Sequence, residues 1–386
     1  MTQPAALYVH IPFCVKRCSY CDFNSSVYQA GVASRYIAAL EKELGGVTDY
    51  PYRTVYIGGG TPTAMKDEQL NQLLSAINGS LDISQVKEYT VEANPGTLNA
   101  GKVALLKDGG VNRVSLGVQS FNARGLRLLG RVHSRMDSLN AFAALRDGGF
   151  NNLNIDLIFG WPGQSLKDWE EDLSEAMTLD PEHVSAYCLS VERGTPLARE
   201  IRSGGTAPPD EAAQLDMLKR TISFFASANN TSANNGYRHY EISNFAKKGR
   251  RCLHNINYWE NLPYMGIGAG AVSYLDGRRT SNVRDVDRYI RRIEMGDDGT
   301  GKDATTFRER LSPRKRAAET LMMALRMTSG IKEEDFAART GFSLSELYGD
   351  PIDRLCELGM ISMKRGRLRL TRKGLFVADS VIMEFM

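Results

Sequence analysis

The chain lacks several things, and each absence removes a class of function. No stretch approaches the ~20 apolar residues that a membrane helix needs, so none of its 386 residues is expected to span a bilayer. The opening "MTQPAALYVHIPF" has no basic segment followed by an apolar core, which argues against a leader and for the cytoplasm. Neither sign of charge is in excess. Lys and Arg number 48 against 45 Asp and Glu, so the balance favours neither nucleic acid nor an anionic membrane as the main partner, and at most leaves peripheral membrane contact open. What is present is ordinary globular material: 42% hydrophobic and 24% charged residues can bury a sizeable core, in roughly two to three domains by length.

A fourth close cysteine is also missing. "FCVKRCSYCDFN" (13 to 24) spaces Cys14, Cys18 and Cys21 as C-x3-C-x2-C, while Cys188, Cys252 and Cys356 are scattered. Thiols in a reducing compartment are read as ligands, nucleophiles or buried apolar groups rather than disulfides. Zinc would need a fourth protein ligand to close a tetrahedron, and the nearby His10 and Asp22 do not repeat the paired spacing of zinc modules. A four-iron cluster held by three thiolates instead keeps one iron open, which suits chemistry rather than structure.

The triplet follows a short apolar strand, "ALYVHIPF" (5 to 12), and precedes a helical pattern, "SRYIAALEKEL" (34 to 44). The alternation then repeats through "RTVYIGGGTP", "VKEYTVEANP", "NRVSLGVQSF", "NLNIDLIFGWP" and "EHVSAYCLSVE", each followed by a polar loop and a helical stretch. About six strands alternating with helices predict an α/β fold, a parallel sheet closed wholly or partly like a (β/α) barrel. The distinctive polar residues fall at the C-terminal strand ends, where such folds build sites.

The cysteine loop after strand one, with Tyr20 just before the last cysteine, and "GGGTPT" after strand two together resemble the radical S-adenosylmethionine (SAM) superfamily. A glycine loop by itself is equally a tight turn or an anion nest; its place one βα unit after the triplet makes it specific. The resemblance implies a partial (β/α) barrel with a [4Fe-4S] cluster on Cys14, Cys18 and Cys21 and SAM at its open iron. "YVHIPFC", "GGGTPT", "GVQSF" and "NIDLIFGWPGQS" further resemble the branch that contains oxygen-independent coproporphyrinogen III dehydrogenase and a haem chaperone group. By motif position, Tyr8, Tyr20, Gly59, Gly60, Thr61, Glu92, Gln119, Arg131, Asp156 and Val272 are implied to line the SAM site. Carboxylates for ribose hydroxyls, glycine N–H groups and amides for the methionine end, and an arginine for the carboxylate suit a zwitterionic ligand. Read as ordinary residues, Asp156 would cap a strand end and Arg131 would sit on a solvated face.

Two departures separate the branch members. The dehydrogenase pattern adds a fourth cysteine, C-x3-C-x2-C-x-C, where this chain has Phe23, and a long N-terminal extension, where here the first strand starts near residue 5. "CLHNINYW" (252 to 259) contains H-N-x-x-Y-W, which resembles the signature of the chaperone group. It implies haem as a further ligand, with His254 as its axial residue and acceptor haemoproteins, respiratory enzymes among them, as partners. An imidazole ligates iron, and Tyr258 and Trp259 offer flat faces; Cys252 competes as a ligand, and a packed, hydrogen-bonded histidine is the plain alternative. His10 and His133 are expected to be structural or to support the site from behind.

Residues 1–295 are assigned to the barrel with its haem motif, and "GDDGTGKD" (296 to 303) to a linker. Residues 304–386, with "SPRKRAAETLMMALRM" and "MISMKRGRLRLTRKG", read as a small winged-helix-like domain. Its basic wing would suit DNA in isolation; attached to this barrel, it reads as a lid or docking module. "ANNTSANNG" (228 to 236) reads as a surface loop. The reading is a haem chaperone on a radical-SAM scaffold, against two others: a decarboxylase acting on coproporphyrinogen III, and a DNA-binding redox regulator.

Overall fold

A computed structural model describes residues 6–48, 50–227, 236–295 and 304–386. The "GDDGTGKD" linker lies outside them, as does all but the last residue of the "ANNTSANNG" loop. Six strands form the parallel centre of a large sheet: β1 (Ala6–Ile11), β2 (Thr54–Gly59), β3 (Glu88–Ala93), β4 (Arg113–Gln119), β5 (Leu153–Phe159) and β6 (His183–Cys188), each paired with the next. Their residues alternate, with Val55, Ile57, Val91, Val114, Leu116 and Ile155 packed under the helices and Tyr56, Glu92, Arg113, Ser115, Asn154 and Asp156 facing the lumen; β5, "LNIDLIF", is buried at every position except Asp156. The helix Ala30–Leu44 shows the complementary pattern, burying Ala33, Tyr36, Ile37, Leu40 and Leu44 along one stripe. Helices Arg135–Asp147 and Leu166–Thr178 start at Ser134 and Ser165, whose hydroxyls cap the N–H of Asp137 and Asp168 while those carboxylates reach back.

Beyond these six strands the sheet takes elements out of chain order. β7 (Arg238–Glu241) and β8 (Asn244–Ala246) continue antiparallel past β6, while β9 (Tyr264–Ile267) pairs parallel with β1 on the other flank. β10 (Val272–Leu275), β11 (Arg278–Asn282) and β12 (Thr305–Arg310) then extend that flank antiparallel. The barrel is therefore open, a twelve-stranded sheet whose edges are β12 and β7. β12 lies in the stretch that sequence pattern places in the C-terminal module, yet it is the outer strand of the large sheet.

The C-terminal module has its own core, including Leu321, Leu325, Phe336, Leu344 and Leu368. Helices Pro313–Leu325, Glu333–Thr340 and Leu344–Glu357 pack on a small sheet of β13 (Ile331–Lys332), β14 (Ile361–Lys364) and β15 (Arg367–Leu370). It is docked on the barrel rather than free. Ile242 N–H donates to the Arg326 carbonyl and Thr328 N–H to that of Tyr240, which covers the open edge at β7, while Arg279 of β11 pairs with Glu319. Among the described residues no helix is long and apolar enough to cross a membrane.

Candidate functional site

The lumen of the sheet holds a cavity of about 410 Å³, open at the C-terminal strand ends and floored at the other end by the helix Leu253–Trp259. Cys14, Cys18 and Cys21 line its mouth, partly buried and unpaired with one another. Their loop leaves β1 through a two-residue ladder, Phe13–Cys14 beside Ser26–Val27. Burial raises the thiols of Cys14 and Cys21, and metal ligation would displace the protons they hold. Among the described residues no three His, Cys, Asp or Glu side chains converge on a point that would chelate a single metal ion. A four-iron cube, which takes each thiolate at a separate corner, fits the donor set of three cysteines.

Eight of the other predicted residues reach the same cavity: Tyr20, Gly59, Gly60, Thr61, Glu92, Gln119, Arg131 and Asp156. Arg131 is the hinge between cluster loop and sheet. Its guanidinium donates to Cys18 Sγ at 3.2 Å, to Asn94 Oδ1 at 2.5 Å and to the Gly117 carbonyl at 2.6 Å. It is thus a half-buried group held in place by three hydrogen bonds rather than a freely solvated one. Gln119 sits at a register shift between β4 and β5 with φ 68°, a left-handed backbone that costs a residue with a Cβ of order 1–3 kcal/mol and turns this side chain into the lumen. Asp156 accepts from Ser115 Oγ at 3.0 Å and Asn154 Nδ2 at 2.8 Å. Glu92 accepts from Tyr56 OH at 2.7 Å and Gly59 N–H at 2.9 Å, and burial pushes its carboxyl up to about 7 despite those bonds.

The glycine run does something other than expected. The N–H of Gly59 is spent on Glu92, that of Gly60 on the Ile11 carbonyl at 2.8 Å, and that of Thr61 on the Phe13 carbonyl at 2.7 Å. None of the three is left to grip a ligand. A Cβ on Gly60 would sit 2.7–2.8 Å from backbone atoms of Ile11 and Phe13, so the glycines let β2 close under the cysteine loop. The Thr61 hydroxyl then accepts from Asn94 and reaches Cys14 Sγ at 3.7 Å.

Three predicted residues are not brought to the cavity wall. Tyr8 lies beneath it with its hydroxyl 3.1 Å from His10 Nδ1, and Val272, in β10, faces elsewhere in the β9–β11 flank. His254 is 1% exposed and both ring nitrogens are engaged, Nδ1 with Thr54 Oγ1 at 2.9 Å and Nε2 with Tyr258 OH at 3.0 Å. Burial and the nearby Arg113 cation hold its pKa down to about 3. Cys252 is equally closed off: its thiol faces Glu88 Oε1 at 3.4 Å and burial pushes it up to about 12. The segment predicted to present an axial ligand is, in this structure, the floor of the barrel, with Trp259 stacked under the Arg326 guanidinium at the seam with the C-terminal module. His10 and His133 are likewise bound to backbone carbonyls, of Asn24 and Val118.

Sequence pattern missed Tyr56, Asn94, Arg113, Ser115, Asn154, Tyr187 and Asn255, all of which line the lumen. Asn94 follows β3 where Glu92 signals a site and was legible by position; Arg113 and Asn154 begin strands, where polar residues ordinarily mark the solvent boundary.

Comparison with known proteins agrees with this geometry. A model of the radical SAM superfamily matches residues 8–176 and one of the HemN C-terminal domain matches residues 311–377. A curated Bacillus subtilis relative named heme chaperone HemW is 38% identical over 98% of both chains, and an Escherichia coli protein of that name is 32% identical over 99% of this chain and 98% of its own. The solved E. coli coproporphyrinogen III oxidase (HemN), described as a radical SAM enzyme, superposes with a TM-score of 0.85 at 22% identity, over 100% of this chain and 90% of that one. At that identity the likeness speaks to the fold.

Proposed function

Because this chain belongs to the heme chaperone HemW family, within the radical SAM superfamily, we propose that it binds haem and passes it to acceptor haemoproteins, respiratory enzymes among them, in the cytoplasm. The observation that carries the reading is similarity to the chaperones along the whole length, through the floor helix and the C-terminal module alike. Phe23 supports it: it stands where the dehydrogenase pattern has a fourth cysteine, and its ring is 64% exposed at the cavity mouth. In this reading Cys14, Cys18 and Cys21 hold a [4Fe-4S] cluster, and Tyr20, Gln119, Arg131, Asp156 and Glu92 hold SAM. The chemistry such a cluster supplies when bound is one electron to a sulfonium ligand at its open iron. The chain's own residues orient that ligand: Arg131 joins cluster loop to sheet, and Asp156 and Glu92 present carboxylate oxygens from a water-poor lumen.

Haem ligation by His254 requires the floor helix to withdraw, giving up the Thr54 and Tyr258 contacts and the bonds from Leu253 and His254 N–H to Glu88. A haem titration of anaerobically prepared protein tests the proposal, beside an assay with coproporphyrinogen III, SAM and a reductant. A Soret band that saturates at one haem per chain, shifts in His254→Ala and develops at a rate that levels off with rising haem is expected, with no decarboxylation. Multiple-turnover decarboxylation would establish the enzyme instead. An unshifted band in His254→Ala would move the ligand elsewhere.

A further inference from the structure

The closed end of the lumen holds a guanidinium with nothing to bind. Arg113, at the start of β4, is 2% exposed and lines the cavity, yet its side chain makes no hydrogen bond or ion pair among the described residues, and its Nε is sealed from solvent without a partner. Glu88 balances the charge from nearby, but its oxygens are taken by Leu253 N–H at 2.8 Å, His254 N–H at 2.9 Å and the Cys252 thiol. Buried polar groups are otherwise almost always satisfied, and an unused guanidinium is costly to keep. Asn255, half-buried on the floor helix, lines the same cavity and likewise makes no side-chain hydrogen bond among the described residues.

Their neighbours are spoken for. Ser115 donates to Asp156, Asn154 donates to Ser115 and Asp156 and accepts from Ser185, and Tyr56 donates to Glu92. Arg113 and Asn255 therefore face the closed end of the lumen without side-chain partners among the described residues, while Tyr56, Ser115, Asn154 and Asp156 beside them are paired with one another or with Glu92. A planar guanidinium fork takes a carboxylate in two parallel bonds, and an amide N–H2 adds a third. A phosphate dianion would fit the fork too, but Glu92 and Asp156 line the same cavity and oppose a second negative charge.

We propose that Arg113 and Asn255 form a receptor for the carboxylate of a small molecule that enters the lumen past the cysteine loop. With the floor helix seated, the H-N-x-x-Y-W segment serves this ligand through its asparagine while its histidine holds the helix in place; haem ligation by His254 belongs to the withdrawn helix. This goes beyond the haem reading and does not depend on it.

The test titrates carboxyl-13C propionate into the full anaerobically prepared chain and follows its resonance, with propionamide as the uncharged counterpart. Saturable broadening by propionate and none by propionamide is expected. Arg113→Met should weaken binding roughly ten- to hundredfold, as loss of a charge-assisted bond does, and Asn255→Ala by less. Should Arg113→Met not fold, Asn255→Asp decides, since it sets a fixed carboxylate against the same guanidinium and should displace propionate. Equal binding of propionamide, no saturable propionate binding, or unchanged binding in Asn255→Asp would each overturn the proposal.

Discussion

The His254 imidazole lies 2.9 Å from the Thr54 hydroxyl, which pins the floor helix to the first residue of β2. Its other nitrogen meets Tyr258 OH, so the ring is neutral and fully used. Replacement by Ala leaves Thr54 and Tyr258 without that partner and opens a cavity, and should destabilise by about 2–4 kcal/mol. The pH dependence follows from the folded pKa of about 3 against 6.5 for a free imidazole. Between those values the unfolded chain binds a proton at this site and the folded chain does not, so wild type loses about 1.4 kcal/mol of its advantage per pH unit as pH falls from 6.5 towards 3, and none above that window. Urea denaturation of wild type and His254→Ala at pH 7.5, 6 and 5 measures both effects; a gap between the two that is constant with pH would contradict the neutral, buried ring.

Cys14→Ala, Cys18→Ala and Cys21→Ala should each abolish the cluster, because three thiolates are the fewest that hold four irons with one left open. Cys188→Ala, Cys252→Ala and Cys356→Ala should keep it: Cys252 is 1% exposed against Glu88, far down the lumen from the mouth. Iron and sulfide analysis with electron paramagnetic resonance reads the result. A cluster retained in Cys18→Ala would break the assignment.

Gly60→Val and Asp156→Asn should fail in different ways. The valine side chain meets the backbone of Ile11 and Phe13, which cannot yield as a flexible side chain would, so the cysteine strand is displaced and cluster and SAM response go together. Among the described residues the Asp156 carboxylate hydrogen-bonds to Ser115 and Asn154 and not to the cysteine loop, so its amide variant should keep a full complement of iron while SAM perturbs the reduced resonance spectrum at least tenfold more weakly. If Gly60→Val keeps its iron, the glycine run is not the seat of the loop.

Glu92 titrates at about 7 in the free protein because burial outweighs its two hydrogen bonds. Below that pH it is a neutral acid, above it an acceptor and an anion. A cationic, hydroxyl-bearing ligand should therefore bind more tightly as pH rises through 7, with affinity falling up to about tenfold per unit on the acid side. Calorimetry with SAM at pH 6, 7 and 8 checks this, and Glu92→Gln should flatten the dependence. A slope of the opposite sign would remove Glu92 from the ligand's contacts.

Local chemistry was legible in the chain without coordinates. The C-x3-C-x2-C spacing, the six alternating strands and helices, and Glu92, Gln119, Arg131 and Asp156 at or near the C-terminal strand ends depend on neighbours in sequence, and the structure brings them to one cavity. Other features were settled only by long-range packing. β9 enters beside β1 because the open flank of the sheet, not chain order, offers it a partner. The N–H groups of Gly59, Gly60 and Thr61 turn to Glu92 and the cysteine strand because those groups lie within hydrogen-bond reach only once the sheet has formed. His254 and Asn255 are adjacent in sequence and ~100° apart around a helix. Which of them faces the lumen and which meets Thr54 is therefore decided by how that helix seats against β2 and β3, and no periodicity within seven residues records it.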